Sequence, residues 1–172
     1  MAPAKREQPV GYSPGFQQML TRERQVRTMC GFVGYIDGGD TLRDEGVLHS
    51  MADAIRHRGP DDADYYMDGT IALGFRRLSI IDLEGGSQPI LNEDGTKVLV
   101  FNGEIYNFQE LRKDLLAKGH VFKTSTDSEV LLHGYEEYGA ELLQKLRGMY
   151  AFVIWDSRAK KLFGARDIFG IK

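Results

Sequence analysis

The stretch Met29-Cys30-Gly31-Phe32-Val33-Gly34-Tyr35-Ile36 decides how this chain is interpreted, because it places a cysteine directly before an apolar strand. Cys30 is the only cysteine in the sequence. If the preceding methionine is removed, Cys30 carries a thiol nucleophile and a free α-amine on one residue. That amine, with a reference pKa of about 7.7–8.0, suits a general base at neutral pH. A free cysteine is more often a small buried hydrophobe, so position alone leaves both roles open.

Composition narrows the class of protein. The 172 residues suit one domain, and 42% hydrophobic with 27% charged residues is typical of a soluble globular chain. A single cysteine excludes an internal disulfide and fits the reducing cytoplasm. The net charge of −3 argues against a nucleic-acid surface, and no apolar run approaches the ~20 residues that span a membrane. The four histidines show no metal-ligand spacing with Cys30, so we predict no metal site.

The two ends differ from the middle of the chain. The first 28 residues contain three prolines and little periodicity, and they lack the apolar region of a secretory signal. Residues 1–29 are therefore interpreted as a leader, a propeptide or a mis-assigned start. Residues 164–172 resemble the middle of a loop, so residues 30–172 are predicted to be one domain truncated at its C-terminal end.

Between the ends, helical and strand patterns alternate in blocks. Asn107 is predicted to cap a helix together with Glu110 three residues later, as in a capping box. The layout indicates an α+β protein with mainly antiparallel strands. The predicted segments are a strand over 31–36, a helix over 41–57, short β-runs over 65–101, helices over 107–119, 127–138 and 140–146, and a hairpin of 149–155 with 161–165.

Three further groups of residues each allow two interpretations. The pair Arg76-Arg77 is either a solvated strand edge or a bidentate clamp for a carboxylate. Asn102-Gly103 is either a turn or the two donors of an oxyanion hole. Asp127 is either only a helix N-cap or a residue with a further role. Taken singly, each motif is weak.

Taken in order, the motifs resemble the glutaminase domain of glutamine-hydrolysing asparagine synthetases. These are class II glutamine amidotransferases of the N-terminal-nucleophile hydrolase type. The resemblance covers residues 29–172 and implies a four-layer αββα sandwich of two antiparallel sheets. The matching motifs are Met-Cys-Gly-Phe-Val-Gly at 29–34, Arg-His-Arg-Gly-Pro-Asp at 56–61, Arg-Arg-Leu-Ser-Ile at 76–80, Asn-Gly-Glu-Ile-Tyr-Asn at 102–107, Thr-Asp-Ser-Glu at 126–129, Gly-Met-Tyr-Ala-Phe at 148–152 and Ala-Arg-Asp-Ile-Phe-Gly at 165–170.

The resemblance also implies roles for individual residues. Cys30 attacks the side-chain amide of L-glutamine, with its own α-amine as base. The Asn102 side chain and the Gly103 N–H hold the oxyanion, and glycine allows close approach of the backbone. The residues implied to bind the substrate are Arg77 for its carboxylate, Asp127 for its ammonium group, and Glu104, Leu78 and Ile80 lining the pocket.

The function that the resemblance implies is hydrolysis of glutamine to glutamate and ammonia, as the glutaminase part of a glutamine-dependent asparagine synthetase. The synthetase domain of the family, which uses ATP and Mg²⁺, has no counterpart in this sequence, and no cofactor is expected within residues 30–172. A homodimer is compatible with the resemblance, and no nucleic-acid or membrane partner is expected. The alternatives are a related amidotransferase with another ammonia acceptor, or a non-catalytic glutamine-binding module if Cys30 stays blocked.

Overall fold

The computed structural model describes residues 29–36, 44–69, 71–78 and 87–172. Within them lie seven strands and four α-helices. The strands are β1 (Gly31–Ile36), β2 (Asp62–Met67), β3 (Ile71–Arg77), β4 (Ile90–Leu91), β5 (Lys97–Ile105), β6 (Gly148–Asp156) and β7 (Lys161–Arg166); the helices are α1 (Glu45–Ala54), α2 (Phe108–Ala117), α3 (Glu129–Tyr138) and α4 (Leu142–Lys145), with a 3₁₀ turn at Gly139–Glu141.

The strands form two antiparallel sheets. The first sheet has the order β1-β3-β2 and the second has the order β4-β5-β6-β7. Helix α1 packs on the first sheet, and α3 packs on β5 of the second sheet and on α2. The sheets face each other through apolar side chains. The resulting order of layers is helix, sheet, sheet, helix, so the predicted αββα sandwich is confirmed, and so is the β6–β7 hairpin.

Strand β5 is buried on both faces, which explains its continuous apolar run. Because side chains alternate along a strand, Val98 and Val100 contact the first sheet through its core cluster. Leu99 and Phe101 point the other way and join the cluster formed with the helices. All four side chains are at most 4% exposed. The far end of this central strand carries Asn102 and Gly103.

The capping box predicted at α2 is wrong, although the helix begins where it was expected. Asn107 occupies the N-cap position but makes no side-chain capping bond. Its Nδ2 donates to the carbonyl of Lys145 at 2.9 Å, and its Oδ1 accepts from the N–H of Arg147 at 2.9 Å. Asn107 therefore fastens the start of α2 to the segment before β6, a tertiary contact that sequence spacing could not reveal.

The other differences lie at element boundaries. Helix α1 begins at Glu45 behind an Asp44 cap and ends at Ala54, three residues earlier than predicted. Helix α3 begins at Glu129 with Ser128 at its N-cap position, so Asp127 is not the cap. Strand β1 has the predicted bounds but is only partly buried, because it is the edge strand of its sheet. Among the described residues, no helix is long and apolar enough to cross a membrane.

Candidate active site

Cys30 lies immediately before β1 and is partly buried. The pairing of β1 with β3 sets Gly31 opposite Arg76, which brings Cys30 to the end of β3. There the Sγ atom accepts a hydrogen bond from the N–H of Leu78 at 3.3 Å, and it lies 3.8 Å from the carbonyl oxygen of Leu78. The backbone of Leu78 therefore contacts the thiol itself.

The two adjacent arginines face opposite sides of the first sheet. Arg76 is buried, its Nε donates to the carbonyl of Ala52 at 3.2 Å, and its Nη2 pairs with Asp53 at 2.6 Å. It therefore fastens α1 to the sheet. The alternation of strand side chains places Arg77 on the other face, towards the second sheet. Arg77 therefore lies on the opposite face of the sheet from α1, and its role as the carboxylate ligand stays a prediction.

The backbone of the arginine pair is approached closely by Gly59. A Cβ atom at position 59 would lie 2.5 Å from the carbonyl oxygen of Arg76 and 2.7 Å from the nitrogen of Arg77. Only glycine fits there without displacing the backbone. The Arg-His-Arg-Gly-Pro-Asp motif thus includes a packing contact that supports the end of β3.

Asn102 and Gly103 lie near the end of β5, opposite Ala151 and Tyr150 of β6. Asn102 is buried. A Cβ atom at position 103 would lie 2.2 Å from the carbonyl oxygen of Met149. The close approach of β6 therefore requires glycine at position 103, whether or not its N–H binds an oxyanion. This packing requirement could not be predicted from the sequence.

The sequence analysis missed Gln88, which holds the backbone beside Asn102. Its Nε2 donates to the carbonyl of Phe101 at 2.9 Å, and its Oε1 accepts from the N–H of Phe101 at 2.6 Å. The Gln88 side chain is buried, so this two-way contact is shielded from water. A lone glutamine before a proline carries no sequence signal for such a contact.

Asp127 joins the loop before α3 to the end of β5. Its Oδ2 accepts a hydrogen bond from the N–H of Ile105 at 2.8 Å. Burial raises the pKa of Asp127, and the negative charge of the exposed Glu104 raises it further, whereas the backbone hydrogen bonds oppose the shift. Ionised Asp127 therefore lies in surroundings that a cation would stabilise, as expected for a ligand of an ammonium group.

Lys172 is a second residue that the sequence analysis did not single out. Its Nζ lies 3.7 Å from Sδ of Met29, the residue before the cysteine. Burial lowers the pKa of Lys172, and nearby Arg58 lowers it too, whereas the charges of Cys30 and Glu104 raise it. The contact with Met29 places Lys172 beside the residue that precedes the candidate nucleophile.

A buried carboxylate positions the segment that carries Lys172. Asp167 accepts hydrogen bonds from the N–H groups of Phe169 at 3.1 Å, Ile171 at 3.0 Å and Lys172 at 3.2 Å. It also accepts one from Tyr150 of β6 at 3.2 Å. Burial alone would raise the pKa of Asp167, but these bonds outweigh it and lower the pKa below its ordinary value.

The fold thus brings most of the predicted site residues to adjoining strand ends. Cys30, Arg77 and Leu78 come from the first sheet, and residues 102–104 come from the second. Asp127 is bonded to the same end of β5. Ile80 lies outside the described residues. The individual roles of these residues in binding and catalysis stay predictions.

Comparison with known proteins defines the class of this protein. Residues 29–172 match the glutamine amidotransferase domain family, and the chain belongs to that family. It is 51% identical over 147 residues to asparagine synthetase [glutamine-hydrolyzing] 1 of Bacillus subtilis, covering 84% of this chain and 23% of that protein. It is 42% identical over 144 residues to asparagine synthetase [glutamine-hydrolyzing] 1 of Arabidopsis thaliana, covering 83% of this chain and 24% of the relative. The chain spans about a quarter of the length of these relatives.

Solved structures agree with this class. The glutamine phosphoribosylpyrophosphate amidotransferase from B. subtilis, complexed with ADP and GMP, has a TM-score of 0.50 and 28% identity, covering 60% of this chain and 24% of that one. An allosteric regulatory enzyme of purine biosynthesis has a TM-score of 0.52 and 30% identity, covering 60% of this chain and 25% of the other. The predicted N-terminal-nucleophile hydrolase fold is confirmed, and the sequence resemblance is confirmed with it.

Proposed function

We propose that this domain hydrolyses L-glutamine to glutamate and ammonia through a γ-glutamyl thioester on Cys30. The observation that carries the proposal is the partly buried Cys30 thiol at the start of β1, beside the Leu78 backbone, in a glutamine amidotransferase domain. The thiolate attacks the side-chain amide carbon, and the α-amine takes the thiol proton. That proton passes to the leaving nitrogen, ammonia departs, and water then cleaves the thioester to release glutamate.

The remaining site residues are proposed to bind and stabilise. Free glutamine is a zwitterion, so its carboxylate needs a cation and its ammonium group needs an anion. Arg77, at the end of β3, and Asp127, in the loop before α3, supply these charges. Asn102 and the Gly103 N–H stabilise the oxyanion, while Glu104, Leu78 and Ile80 complete the pocket. No step of this hydrolysis requires a cofactor.

We further propose that the ammonia is used for asparagine synthesis, by a synthetase domain that binds ATP and Mg²⁺. The chain is 51% identical to a glutamine-hydrolysing asparagine synthetase and 28% identical to a phosphoribosylpyrophosphate amidotransferase. The higher identity favours the acceptor of the asparagine synthetase as the acceptor of the ammonia. The free Cys30 thiol suits a reducing compartment such as the cytoplasm.

The decisive experiment compares chains beginning at Met1 and at Cys30. In the longer chain the Cys30 nitrogen is an amide and cannot act as a base. We expect its glutamine hydrolysis at pH 7.5 to be at least about a hundredfold slower, within the usual effect of losing a general base. Cys30→Ala in the trimmed chain is the control and should be inactive.

Mass spectrometry must show that the longer chain stays uncleaved. Equal rates from the two verified forms would reject the amine as the base. Glutamine binding without hydrolysis by the trimmed chain would favour the non-catalytic binding module.

A further inference from the structure

A cluster of histidines and carboxylates lies on the helix side of the second sheet. Nδ1 of His133, on α3, lies 3.2 Å from Oε2 of Glu136, and Nδ1 of His120, after α2, lies 3.7 Å from the same oxygen. One donor atom from each of the three residues lies within 4.8 Å of the others. Ligands of a tetrahedral zinc ion, at roughly 2.0–2.2 Å from the metal, lie roughly 3.4 Å apart. The spacing of the cluster is therefore close to that of a metal site.

Both histidines have a second carboxylate behind the ring. Nε2 of His133 lies 3.5 Å from Oε1 of Glu129, and Nε2 of His120 lies 3.3 Å from Oε2 of Glu137. In metal sites such outer carboxylates fix the tautomer and orientation of the ligating imidazole. Here both rings are oriented so that Nδ1 faces the same oxygen of Glu136.

Glu129 is itself held in place. Its oxygens accept hydrogen bonds from the N–H groups of Lys123 at 2.7 Å and Thr124 at 2.8 Å. His133 is only 1% exposed, and its buried Nε2 has no hydrogen-bond partner among the described residues. The buried ring therefore has its hydrogen bond at Nδ1, which lies 3.2 Å from Oε2 of Glu136 in the cluster.

Glu136 divides its two oxygens between different partners. Oε1 accepts a hydrogen bond from Nδ2 of Asn92 at 2.7 Å and lies 3.6 Å from Nζ of Lys97. Oε2 is the oxygen that faces the two histidines. A further carboxylate oxygen, Oε1 of Glu93, lies 3.6 Å from Nδ1 of His133, outside the group of three donor atoms that lie within 4.8 Å of one another.

The charges of the cluster do not balance when the histidines are neutral. Within the part of the chain that the structure describes, two ammonium groups form ion pairs with the carboxylates of Glu93, Glu129, Glu136 and Glu137. Lys97 pairs with Glu136, and Lys118 pairs with Glu137 at 3.0 Å. At least two negative charges therefore remain uncompensated, which a divalent cation would neutralise.

We propose that His120, His133 and Glu136 bind one Zn²⁺ ion, and that the exposed carboxylate of Glu93, which lies beside His133, moves in as the fourth ligand. Four protein ligands leave no position for a substrate, which is typical of a structural rather than a catalytic zinc. The ion joins the turn before β5, the segment after α2, and α3. This site is separate from the cysteine nucleophile and independent of the proposed glutamine hydrolysis. The absence of a metal site was predicted from the spacing of the histidines relative to Cys30. The ligands proposed here are histidines and glutamates, so that spacing does not apply to them.

The test is titration of the full chain with ZnCl₂ in a Cys30→Ser background, which removes the only thiol. Isothermal calorimetry should show one Zn²⁺ per chain with a Kd of about 1 µM or tighter, and MgCl₂ should not bind. Zn²⁺ at a hundredfold excess over Kd should raise Tm. His120→Gln and Glu93→Gln should each weaken binding at least tenfold. The exposed His57→Gln is the matched control and should bind as the parent does.

Two results would overturn the proposal. One is the absence of Zn²⁺ binding at about 100 µM. The other is equal affinity in the parent, His120→Gln and Glu93→Gln chains. Circular dichroism and Tm without metal verify that each variant is folded. His120 and Glu93 lie in separate segments, and neither side chain is fully buried. If one variant fails to fold, the other variant therefore still tests the proposal.

Discussion

At the scale of single residues, neighbouring side chains of one strand carry out different tasks. Arg76 is bonded to α1 through Ala52 and Asp53, whereas Arg77 faces the second sheet. A doublet of arginines in the sequence therefore consists of one fastening residue and one candidate binding residue.

Arg77→Lys should lower kcat/KM for glutamine at least tenfold, which is about 1.4 kcal/mol, because lysine lacks the planar two-donor fork. Tm should change little. Arg76→Lys is the matched control. It weakens the contacts with Asp53 and Ala52, so it should lower Tm and change kcat/KM less than Arg77→Lys does. Glutamine kinetics and thermal unfolding of both chains, trimmed to begin at Cys30, check this. Unchanged kinetics for Arg77→Lys would refute the clamp.

Asp127→Asn should improve stability while impairing function. Burial raises the pKa of Asp127, so the folded state favours the protonated carboxyl. The stability that the protonated carboxyl contributes is fully present below the unfolded pKa of about 3.9, and it is lost as pH rises through the folded pKa. At pH 7 the variant should therefore have an equal or higher Tm than the parent, and the difference should shrink towards pH 4. Its kcat/KM should fall at least tenfold, because a neutral amide binds an ammonium group less well. A lower Tm at pH 7 would contradict the assigned burial cost.

At the scale of elements, β5 combines a core strand with the candidate oxyanion hole. Its apolar residues are buried between the first sheet and the helices, and its end is held by Gln88, by Asp127 and by pairing with β6. A preorganised donor must be held rigidly, and strand pairing with β6 on one side and the Gln88 side chain beside Phe101 contribute to this.

Gly103→Ala should disrupt this end of β5. The new Cβ would lie 2.2 Å from a backbone oxygen of β6, which cannot move without breaking the strand pairing. We expect a loss of about 1–3 kcal/mol in the free energy of unfolding, together with a large fall in kcat. Gly164→Ala in β7 is the control, since its Cβ would meet atoms only at 3.4 Å, an ordinary contact. Urea unfolding of both variants measures the difference, and equal stabilities would contradict the steric argument.

At the scale of the whole molecule, the site depends on the packing of one sheet against the other. Cys30 and Arg77 belong to the first sheet and Asn102 to the second, so their separation is set by the apolar layer between the sheets. Leu73, Val98, Val100 and Trp155 are part of that layer.

Leu73→Ala should therefore reduce activity without touching the substrate. Leu115→Ala on α2, buried in the cluster on the helix side, is the matched control. Both substitutions should cost about 2–5 kcal/mol of unfolding free energy. Under conditions where both variants are folded, kcat/KM should fall more in Leu73→Ala. If the two variants lost activity equally, the spacing of the sheets would not be what sets the geometry of the site.

Local periodicity in the sequence determined the α+β layout and the bounds of β1. The short motifs in a fixed order determined the class of protein through the resemblance to a known family, and that resemblance implied the αββα layering and the set of candidate site residues. The Met-Cys pair and Asn102-Gly103 can be identified in the sequence because each role depends on the chemistry of one or two adjacent residues.

Only the tertiary structure decided which partners those residues meet. Asn107 and Asp127 accept hydrogen bonds from backbone N–H groups far away in the sequence, because folding brings Arg147 and Ile105 next to their side-chain oxygens. The contact between Gln88 and Phe101 and the position of Lys172 beside Met29 join segments far apart in the chain. Sequence periodicity reports which face of an element is buried. Contacts across sheets and layers depend on how those faces are brought together in space, so they are decided only when the chain folds.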